Sequence, residues 1–335
     1  MNNKQHDIKA TVIGAGAWGT AFALHLARCR FKVKLWVREK DVFESISTSR
    51  INTLFLPDIE IPESIEPTMS LDEAIGKTEI IFWAIPSQFL HSIAQDAKSQ
   101  NDAIHIALSK GIERNTWRFP YEILGEFFGY DRIAILSGPS FAEEVASKKP
   151  SVLAIASNNI DHAKKIQALV SSSFLRIYSN PDPIGVSLGG AYKNIIAIAS
   201  GICSGLNIGN NARAAIITRG ISELIRLGVK IGAKSETIFG IAGLGDMVLT
   251  CTSNLSRNYS LGERIGMGEK ANDILEDMQQ VAEGVFTTFG ALHLANKYAI
   301  ELPITESVHR IIWMGSSPDE EVVKLMERPL KSEWE

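Results

Sequence analysis

Cysteine is scarce in this chain, and charge of neither sign dominates. The three cysteines in 335 residues, Cys29, Cys203 and Cys251, are scattered and odd in number, so neither a disulfide framework nor a zinc cluster has the spacing that it needs. The 34 lysines and arginines nearly balance the 38 aspartates and glutamates, which gives a net charge of -4. This composition fits a reducing cytosol and argues against a protein that coats nucleic acid or an anionic membrane.

Long hydrophobic runs are absent as well. No stretch approaches the roughly 18 consecutive apolar residues of a membrane span, and the polar start at residues 1–9 lacks the apolar core of a signal peptide. We therefore expect a cytoplasmic protein with no membrane span, no bound metal and no nucleic-acid partner. The composition that remains, 45% hydrophobic and 21% charged, is that of a globular chain long enough for about two domains.

Short β-rich apolar runs alternate with longer helical patterns in the first half of the chain. Most of the runs are continuous in Val, Ile, Leu, Phe or Trp, which suits strands that are covered on both faces. Helices between such strands predict an α/β fold with a doubly wound, largely parallel sheet. The predicted strands span residues 9–13, 32–37, 79–85, 103–108, 133–136, 152–156 and 175–178.

The pattern changes at Pro181 and Pro183. Two prolines cannot sit inside a helix, and each restricts the residue before it, so this stretch is a natural joint between domains. We place an α/β domain at residues 1–180 and an all-helical domain at residues 181–335. Ser317 followed by Glu320 predicts a capping box at the start of a late helix. The other predicted helices after the joint span residues 184–204, 212–227, 286–298 and 304–314.

A glycine-rich turn, Gly14-Ala-Gly-Ala-Trp-Gly19, follows the first predicted strand and opens a helical pattern. Gly14 permits a tight turn, Gly16 lets a pyrophosphate approach the backbone, and Gly19 lets helix and strand pack closely. The helix N-terminus adds free N–H groups for an anion. An isolated motif of this kind would indicate only a tight turn. With strand, helix and second strand in register, it predicts dinucleotide binding.

The end of the second strand, about 20 residues past the glycines, is where a side chain meets the adenosine ribose of a bound dinucleotide. The sequence places Arg38 and Glu39 there. A guanidinium pairs with the 2′-phosphate of NADP(H), whereas a carboxylate bonds the free 2′-hydroxyl of NAD(H). Because Arg38 comes first, the sequence favours NADP(H) and keeps NAD(H) as the alternative. A second alternative is that both side chains are simply solvated.

Two charged residues lie isolated in apolar segments. Lys193 is the only charged residue between positions 182 and 213, and Asp246 is the only one between positions 236 and 257. Burial lowers the pKa of a lysine toward the range that is useful for proton transfer. Lys193 therefore either reaches solvent along its stem or works as an acid and base. Asp246, which follows Gly243 and Gly245, is either a helix cap or a partner that tunes Lys193.

Two further clusters suit an anionic ligand. Lys110 follows the carboxyl end of a predicted strand, where open α/β sheets bind ligands, although a solvated turn lysine is the alternative. Ser256, Arg257 and Asn258 combine a hydroxyl, a forked guanidinium and an amide, a set that suits phosphate. The alternative for this trio is a helix-capping serine beside a surface arginine.

Taken together, seven motifs in this order resemble bacterial NAD(P)-dependent glycerol-3-phosphate dehydrogenases. The resemblance runs from the first strand to about residue 306. It implies a Rossmann-type domain followed by a helical substrate domain, commonly in a homodimer. The motifs are GAGAWG at 14–19, SGPSFAE at 137–143, GGAYKN at 189–194, NARA at 211–214, GLGD at 243–246, SRN at 256–258 and LPITE at 302–306.

The resemblance also implies a reaction, the reversible reduction of dihydroxyacetone phosphate to sn-glycerol 3-phosphate by NAD(P)H, which supplies glycerophospholipid synthesis. Lys193 matches the proton donor and acceptor, Asp246 and Lys110 match the other catalytic positions, and all three also match substrate-binding positions. The other substrate positions match Gly138, Ser140, Ser256, Arg257 and Asn258. The cofactor positions match Gly14, Gly16, Ala17, Trp18, Gly19, Arg38, Lys110, Ala142, Arg257, Val281 and Glu283.

Two positions depart from the resemblance without disturbing the reaction. Ala17 stands where many relatives carry serine, and Ser140 replaces a frequent threonine but keeps the hydroxyl. Two other functions stay open at this point. One is a 3-hydroxyacid dehydrogenase of similar architecture, because Arg257 and Asn258 would also serve a carboxylate. The other is a non-catalytic redox sensor that binds the dinucleotide, which would leave the isolated Lys193 and Asp246 unexplained.

Overall fold

The computed structural model describes residues 8–76, 78–97, 102–278, 282–330 and 332–333. A mostly parallel sheet with helices on its faces fills the first half, and helices fill the second, so the predicted fold class is confirmed. The strands of the described residues are β1 Lys9–Ile13, β2 Lys32–Trp36, β3 Ile51–Asn52, β4 Leu56–Glu60, β5 Ile65–Thr68, β6 Ile80–Trp83, β7 Ile104–Ala107, β8 Ile133–Ser137, β9 Ser151–Ala156 and β10 Leu175–Asn180.

Eight strands form one sheet in the order β10-β9-β8-β7-β6-β1-β2-β5. The pairs from β8 to β5 are parallel, whereas β9 runs antiparallel to β8 and parallel to β10. All seven predicted strands are present, but β3, β4 and β5 were not predicted. Pro67 lies within β5, and proline cannot donate to a ladder, which is tolerated here because β5 is the edge strand of the sheet.

Helices cover the sheet and then form the whole second half. A π-helical turn, Ile241–Gly245, precedes one of them. The helices of the described residues are α1 Ala17–Arg28, α2 Lys40–Ser49, α3 Leu71–Ile75, α4 Ser87–Asp96, α5 Pro120–Phe128, α6 Ala142–Ala146, α7 Ile160–Val170, α8 Pro183–Gly205, α9 Asn210–Ile231, α10 Ser235–Ile238, α11 Asp246–Cys251, α12 Arg257–Gly266, α13 Ala271–Asp277, α14 Glu283–Tyr298, α15 Pro303–Met314 and α16 Pro318–Met326.

Helix α8 is the centre of the second half. Asp182 caps it by accepting a hydrogen bond from the Gly185 amide at 2.8 Å, and it also accepts one from the Lys234 amide at 2.8 Å. By length and composition alone α8 could cross a membrane, but every residue of its most apolar window is buried inside the protein, as in the core helix of a globular protein. We propose the domain boundary just before α8, because the last strand of the sheet ends at Asn180.

A buried polar network fixes the orientation of α8. The Tyr192 hydroxyl donates to the Glu223 carboxylate of α9 at 2.6 Å, and the same carboxylate accepts from the backbone amide of Ile304 at 2.6 Å. Glu223 also accepts from the Thr305 hydroxyl at 3.1 Å, so it caps the first turn of α15 from a neighbouring helix. Burial raises the pKa of Glu223, and the hydrogen bonds of this network oppose that shift.

The capping box predicted at Ser317 is only half right. Ser317 does occupy the N-cap position of α16, but its side chain makes no capping hydrogen bond. Pro318 at the first helical position removes one of the amides that would need a partner. Glu321, rather than Glu320, anchors the helix, because its carboxylate accepts from Arg310 of α15 at 2.6 Å. The hydrogen bonds from Arg310 lower the pKa of Glu321 to about 2.

Candidate active site

A cavity of about 430 Å³ lies between the glycine-rich turn and the middle of α8. Ala17 and Trp18, at the start of α1, line one end, and Lys193 of α8 lines the other. The two features that the sequence singled out separately therefore open onto the same space. Lys193 is 8% exposed, so its ammonium is withdrawn from bulk water but reaches the cavity.

The glycine-rich turn has the shape that its sequence predicts. Gly14 has a φ of +111°, and a Cβ on it would lie 2.7 Å from the carbonyl oxygen of Ala84. A Cβ on Gly19 would collide with the Gly14 carbonyl oxygen, which is why helix and turn can pack so closely. A Cβ on Gly16 would meet no atom within 4 Å, so this glycine faces open space.

The residues at this turn fit a dinucleotide. The first turn of α1 carries no acidic side chain, so nothing there repels an anion from the free amides of the helix N-terminus. The indole N–H of Trp18 is buried and has no hydrogen-bond partner among the described residues. A buried donor without a partner calls for an explanation, and a ligand bound at this turn would supply one.

A shared carboxylate holds two lysines together at the other end of the cavity. The Lys193 ammonium donates to Asp246 Oδ1 at 2.5 Å, and the Lys110 ammonium donates to Asp246 Oδ2 at 2.7 Å. Asp246 is fully buried, and Lys193 also donates to the Thr250 hydroxyl at 2.9 Å. Two positive groups share one negative group, so the cluster carries an unmatched positive charge.

Burial is the main influence on the proton affinity of Lys193. The pKa of this lysine falls to about 8 in all: burial lowers it most, the Asp246 carboxylate raises it, and the neighbouring Lys110 ammonium lowers it. A lysine in this range gives up its proton far more readily near neutral pH than a solvated one. The geometry therefore makes Lys193 a suitable acid and base.

Glycines allow Asp246 to reach Lys193. A Cβ on Gly189 of α8 would lie 2.7 Å from the Ala242 carbonyl oxygen, and a Cβ on Gly243 would collide with the backbone of Ile238. The π-helical turn thus packs directly against α8, and α11 begins with Asp246 aimed at the lysine. The alternative of a capping role for Asp246 does not hold, since Gly245 occupies the N-cap position.

The predicted phosphate cluster is at the start of α12. Ser256 caps this helix by accepting from the Tyr259 amide at 3.2 Å, so the alternative prediction of a capping role is correct, and Ser256 also lines the cavity. Arg257 is exposed and lines the cavity. Asn258 donates to Asn194 at 3.0 Å and accepts from the Gly284 amide at 3.0 Å, which locks its amide in place.

The SGPSFAE segment forms another part of the wall. The Gly138 carbonyl oxygen accepts from the Lys110 ammonium at 2.8 Å and from the Ser140 hydroxyl at 3.0 Å. Gly138 has a φ of +144°, a conformation that favours glycine. Ser140 and Ala142 line the cavity. Gly138 therefore orients Lys110 and Ser140 through its backbone.

Two of the predicted cofactor residues, Glu283 and Arg38, make side-chain contacts within the protein, and Glu283 also lines the cavity. The Glu283 carboxylate accepts from the Ser87 amide at 2.8 Å and from the Ser87 hydroxyl at 2.6 Å, which ties α14 to the first turn of α4. Burial raises the pKa of Glu283. Arg38 is exposed and stacks its guanidinium over Phe89, 5.5 Å from the ring centre. Val281 lies outside the described residues.

Three of the residues that bond the predicted side chains were not themselves predicted. Thr250 lies four residues after Asp246, one helical turn away, and that spacing was its only sequence signature. Asn194 follows Lys193 directly, and Ser87 has no signature that points to Glu283. Among the described residues, no group of three or more His, Cys, Asp and Glu side chains could hold a metal ion.

Comparison with protein-family models gives two matches that cover most of the chain. The models are described as the N-terminus and the C-terminus of NAD-dependent glycerol-3-phosphate dehydrogenase, and they match residues 9–163 and 182–323. Two similar relatives are the glycerol-3-phosphate dehydrogenases [NAD(P)+] of Koribacter versatilis and Maridesulfovibrio salexigens. The first is 42% identical over 97% of this chain and 98% of its own length, and the second is 43% identical over 97% and 100%.

Comparison with solved structures also finds a glycerol-3-phosphate dehydrogenase. The crystal structure of glycerol-3-phosphate dehydrogenase from Coxiella burnetii is similar with a TM-score of 0.93 and 38% identity, over 96% of this chain and 99% of that one. A ketopantoate reductase from Ralstonia eutropha, at a TM-score of 0.63 and 13% identity over 94% and 100% of the two chains, shares the fold alone.

The shared carboxylate predicts the effect of Asp246→Asn on Lys193. Asp246 is the group that raises the pKa of Lys193 against burial, so the amide variant should place that pKa below about 8. NMR titration with ¹⁵N-labelled lysine would measure it, with Lys193→Met to assign the resonance. Asp161→Asn, at the exposed start of α7, is the control. An unchanged or higher pKa in Asp246→Asn would show that the carboxylate does not govern this lysine.

Proposed function

Because the chain belongs to the NAD-dependent glycerol-3-phosphate dehydrogenase family, we propose that its cavity is the active site, with Lys193 as the proton donor and acceptor. The chain is an NAD(P)-dependent oxidoreductase that acts on a CH–OH group and interconverts dihydroxyacetone phosphate and sn-glycerol 3-phosphate, a reaction of phospholipid metabolism. The observation that carries the placement is that Lys193, held by Asp246, opens onto the same cavity as the glycine-rich turn.

Lys193 stabilises the charge that develops at the substrate oxygen. When bound, NAD(P)H supplies the hydride to the ketone carbon. The Lys193 ammonium stabilises the growing negative charge on the oxygen and then donates its proton to it. In the reverse direction the neutral amine takes the proton of the C2 hydroxyl. Asp246 and Thr250 keep the nitrogen in one place through both steps, because each bonds it directly.

The remaining substrate residues orient the molecule around Lys193. We assign the phosphate to Arg257, which lines the cavity and whose guanidinium offers a forked set of donors. Lys110 adds a second positive charge beside Asp246. Anchoring the phosphate at one end decides which carbon faces the hydride donor. The other proposed substrate-lining positions are Gly138, Ser140, Ser256 and Asn258.

The cofactor positions follow the glycine-rich turn and the residues opposite it. We assign the pyrophosphate to the open side of Gly16 and the start of α1, whose first turn carries no acidic side chain. Gly14 and Gly19 shape this turn, and Arg38 lies beyond it at the end of β2. The proposed contacts also include Ala17, Lys110, Ala142, Arg257, Val281 and Glu283.

The assembly and location of the protein are part of the proposal. We infer a homodimer, because the family that the sequence resembles commonly forms one, and light scattering of the purified protein would measure its mass. We infer a cytoplasmic location from the composition, since all three cysteines are free in the structure and suit a reducing compartment.

The purified protein should oxidise NADH or NADPH when dihydroxyacetone phosphate is added. The unmatched positive charge and Arg257 favour this phosphorylated ketone over a 3-ketoacid. Absorbance at 340 nm, the reduced-nicotinamide band, would follow both substrates in parallel. Turnover of the ketoacid alone would favour the 3-hydroxyacid dehydrogenase. Cofactor binding without turnover of either substrate would favour the redox sensor.

Replacing Lys193 with methionine should remove the proton donor and leave cofactor binding nearly intact. We expect kcat to fall by about 10²–10⁴-fold, the usual contribution of a positioned acid, while the dissociation constant for NADH stays close to the original. Steady-state kinetics and fluorescence titration would measure the two quantities. Lys230→Met, an exposed lysine of α9, is the matched control. Turnover at the original rate in Lys193→Met would refute the proton-transfer role.

Arg38→Ala tests which cofactor the protein prefers. If the guanidinium pairs with the 2′-phosphate, its removal should lower kcat/KM for NADPH by about tenfold or more and change kcat/KM for NADH little. The ratio of the two values is the measurement. Lys40→Ala, an exposed neighbour that forms a surface pair with Glu44, controls for a general change of charge. An unchanged ratio of kcat/KM for NADPH to kcat/KM for NADH would show that Arg38 does not bind the ribose phosphate.

A further inference from the structure

An excursion between α2 and β5 packs against the glycine-rich turn. It contains the short antiparallel pair β3 and β4, and it is closed at its base by Arg50, which donates to the Ile61 carbonyl at 3.0 Å and to the Ile65 carbonyl at 2.8 Å. Leu56 of β4 is buried in the core of the first half. The excursion is therefore anchored in the fold.

Asn52, in β3, joins this excursion to the glycine-rich turn. Its amide nitrogen donates to the Ala15 carbonyl oxygen at 2.8 Å and to the Thr20 hydroxyl at 2.8 Å, and its amide oxygen accepts from the Phe55 amide at 3.1 Å. Asn52 is fully buried. The side-chain amide thus forms hydrogen bonds through its nitrogen and its oxygen. The bonds of its nitrogen join the excursion to residues more than 30 positions earlier in the chain.

The Asn52 amide fixes the peptide plane between Ala15 and Gly16, whose N–H is a candidate donor to an anion. The Ala15 carbonyl also accepts from the Thr20 hydroxyl at 3.2 Å, so two donors hold its oxygen toward the excursion. In a trans peptide the carbonyl oxygen and the next N–H point in opposite directions. Holding the Ala15 oxygen therefore turns the Gly16 N–H away from Asn52, and Gly16 is the glycine whose side is open.

Asn52 also holds an aromatic ring at the cavity. The Phe55 backbone amide donates a hydrogen bond to Asn52, and Phe55 lines the same cavity as Ala17 and Trp18. One buried amide thus sets the orientation of the anion-binding turn and the position of a flat apolar wall beside it. Among the described side chains, Asn52 is the one that bonds both the Ala15 carbonyl and the Phe55 amide.

We propose that Asn52 is a positioning residue for the dinucleotide, acting through the Ala15 carbonyl and Phe55 rather than by touching the ligand. This inference rests on the proposed placement of NAD(P)(H) at the glycine-rich turn. It assigns a role to the excursion, which is otherwise an insertion between a helix and an edge strand. The role is selective: it concerns the cofactor end of the cavity and leaves the Lys193 end untouched.

The test compares Asn52→Ala and the isosteric Asn52→Asp with the unmodified chain. Each variant removes the donors to Ala15, and the aspartate places a carboxylate oxygen against that carbonyl. We expect the dissociation constants for NADH and NADPH to rise about tenfold or more, the effect of losing about one buried hydrogen bond. KM for the cofactor should rise in parallel, whereas kcat and KM for dihydroxyacetone phosphate should change by less than about threefold.

Ser45→Ala is the matched control. Its hydroxyl donates to the Ile51 carbonyl at 2.6 Å, so it tethers the start of the same excursion without contacting the turn. We expect no change in cofactor affinity for this variant. Thr20→Val removes the other donor to Ala15 and should weaken cofactor binding less. Its effect should combine non-additively with that of Asn52→Ala, because the two share one carbonyl.

The readouts separate the alternatives. Melting temperatures of the cofactor-free proteins report a loss of stability, and fluorescence titration reports binding. If the Asn52 variants melt lower but bind cofactor as the unmodified chain does, Asn52 is merely structural and the inference is overturned. If they fail to fold, Thr20→Val decides: unchanged cofactor affinity in that variant would overturn the inference as well. If the unmodified chain binds no dinucleotide, the proposed function fails with it.

Discussion

The site depends on one buried carboxylate shared by two ammonium groups. Asp246 is fully buried and contacts Lys193 at 2.5 Å and Lys110 at 2.7 Å. A buried lysine without such a partner would lose its charge or swing to solvent, and a buried aspartate without the lysines would be costly to keep ionised. The contact between Asp246 and Lys193 therefore depends on a close approach of their backbones. The glycine contacts between α8 and the π-helical turn allow that approach.

Helix α8 serves two purposes with neighbouring residues. Successive side chains on a helix point about 100° apart, so Tyr192 and Lys193 face different surroundings. Tyr192 is fixed by Glu223 of α9 and by Thr305 of α15. Because that network holds the rotation of α8 about its axis, it also holds the direction of Lys193. The packing of Tyr192 therefore supports the position of Lys193.

The sequence predicts this molecule well where the information is local. The turn at Gly14 follows from the spacing of its glycines, and the isolation of Lys193 and Asp246 in apolar segments is enough to mark both as candidates for chemistry. The excursion that carries Asn52 was not predicted, because β3 is only two residues long and β4 is mostly exposed and contains a proline. The Glu283 contact with Ser87 joins residues 196 positions apart, and no pattern along the chain encodes such a pairing.

The unmatched positive charge beside Asp246 has a consequence for selectivity. Lys110 and Lys193 together exceed the single carboxylate that they share, and Arg257 stands exposed at the same cavity. A dianionic triose offsets this excess when it enters, whereas an uncharged polyol of the same carbon skeleton brings nothing to neutralise it. The electrostatics of this lysine cluster therefore favour a phosphorylated triose over free glycerol, which carries no charge.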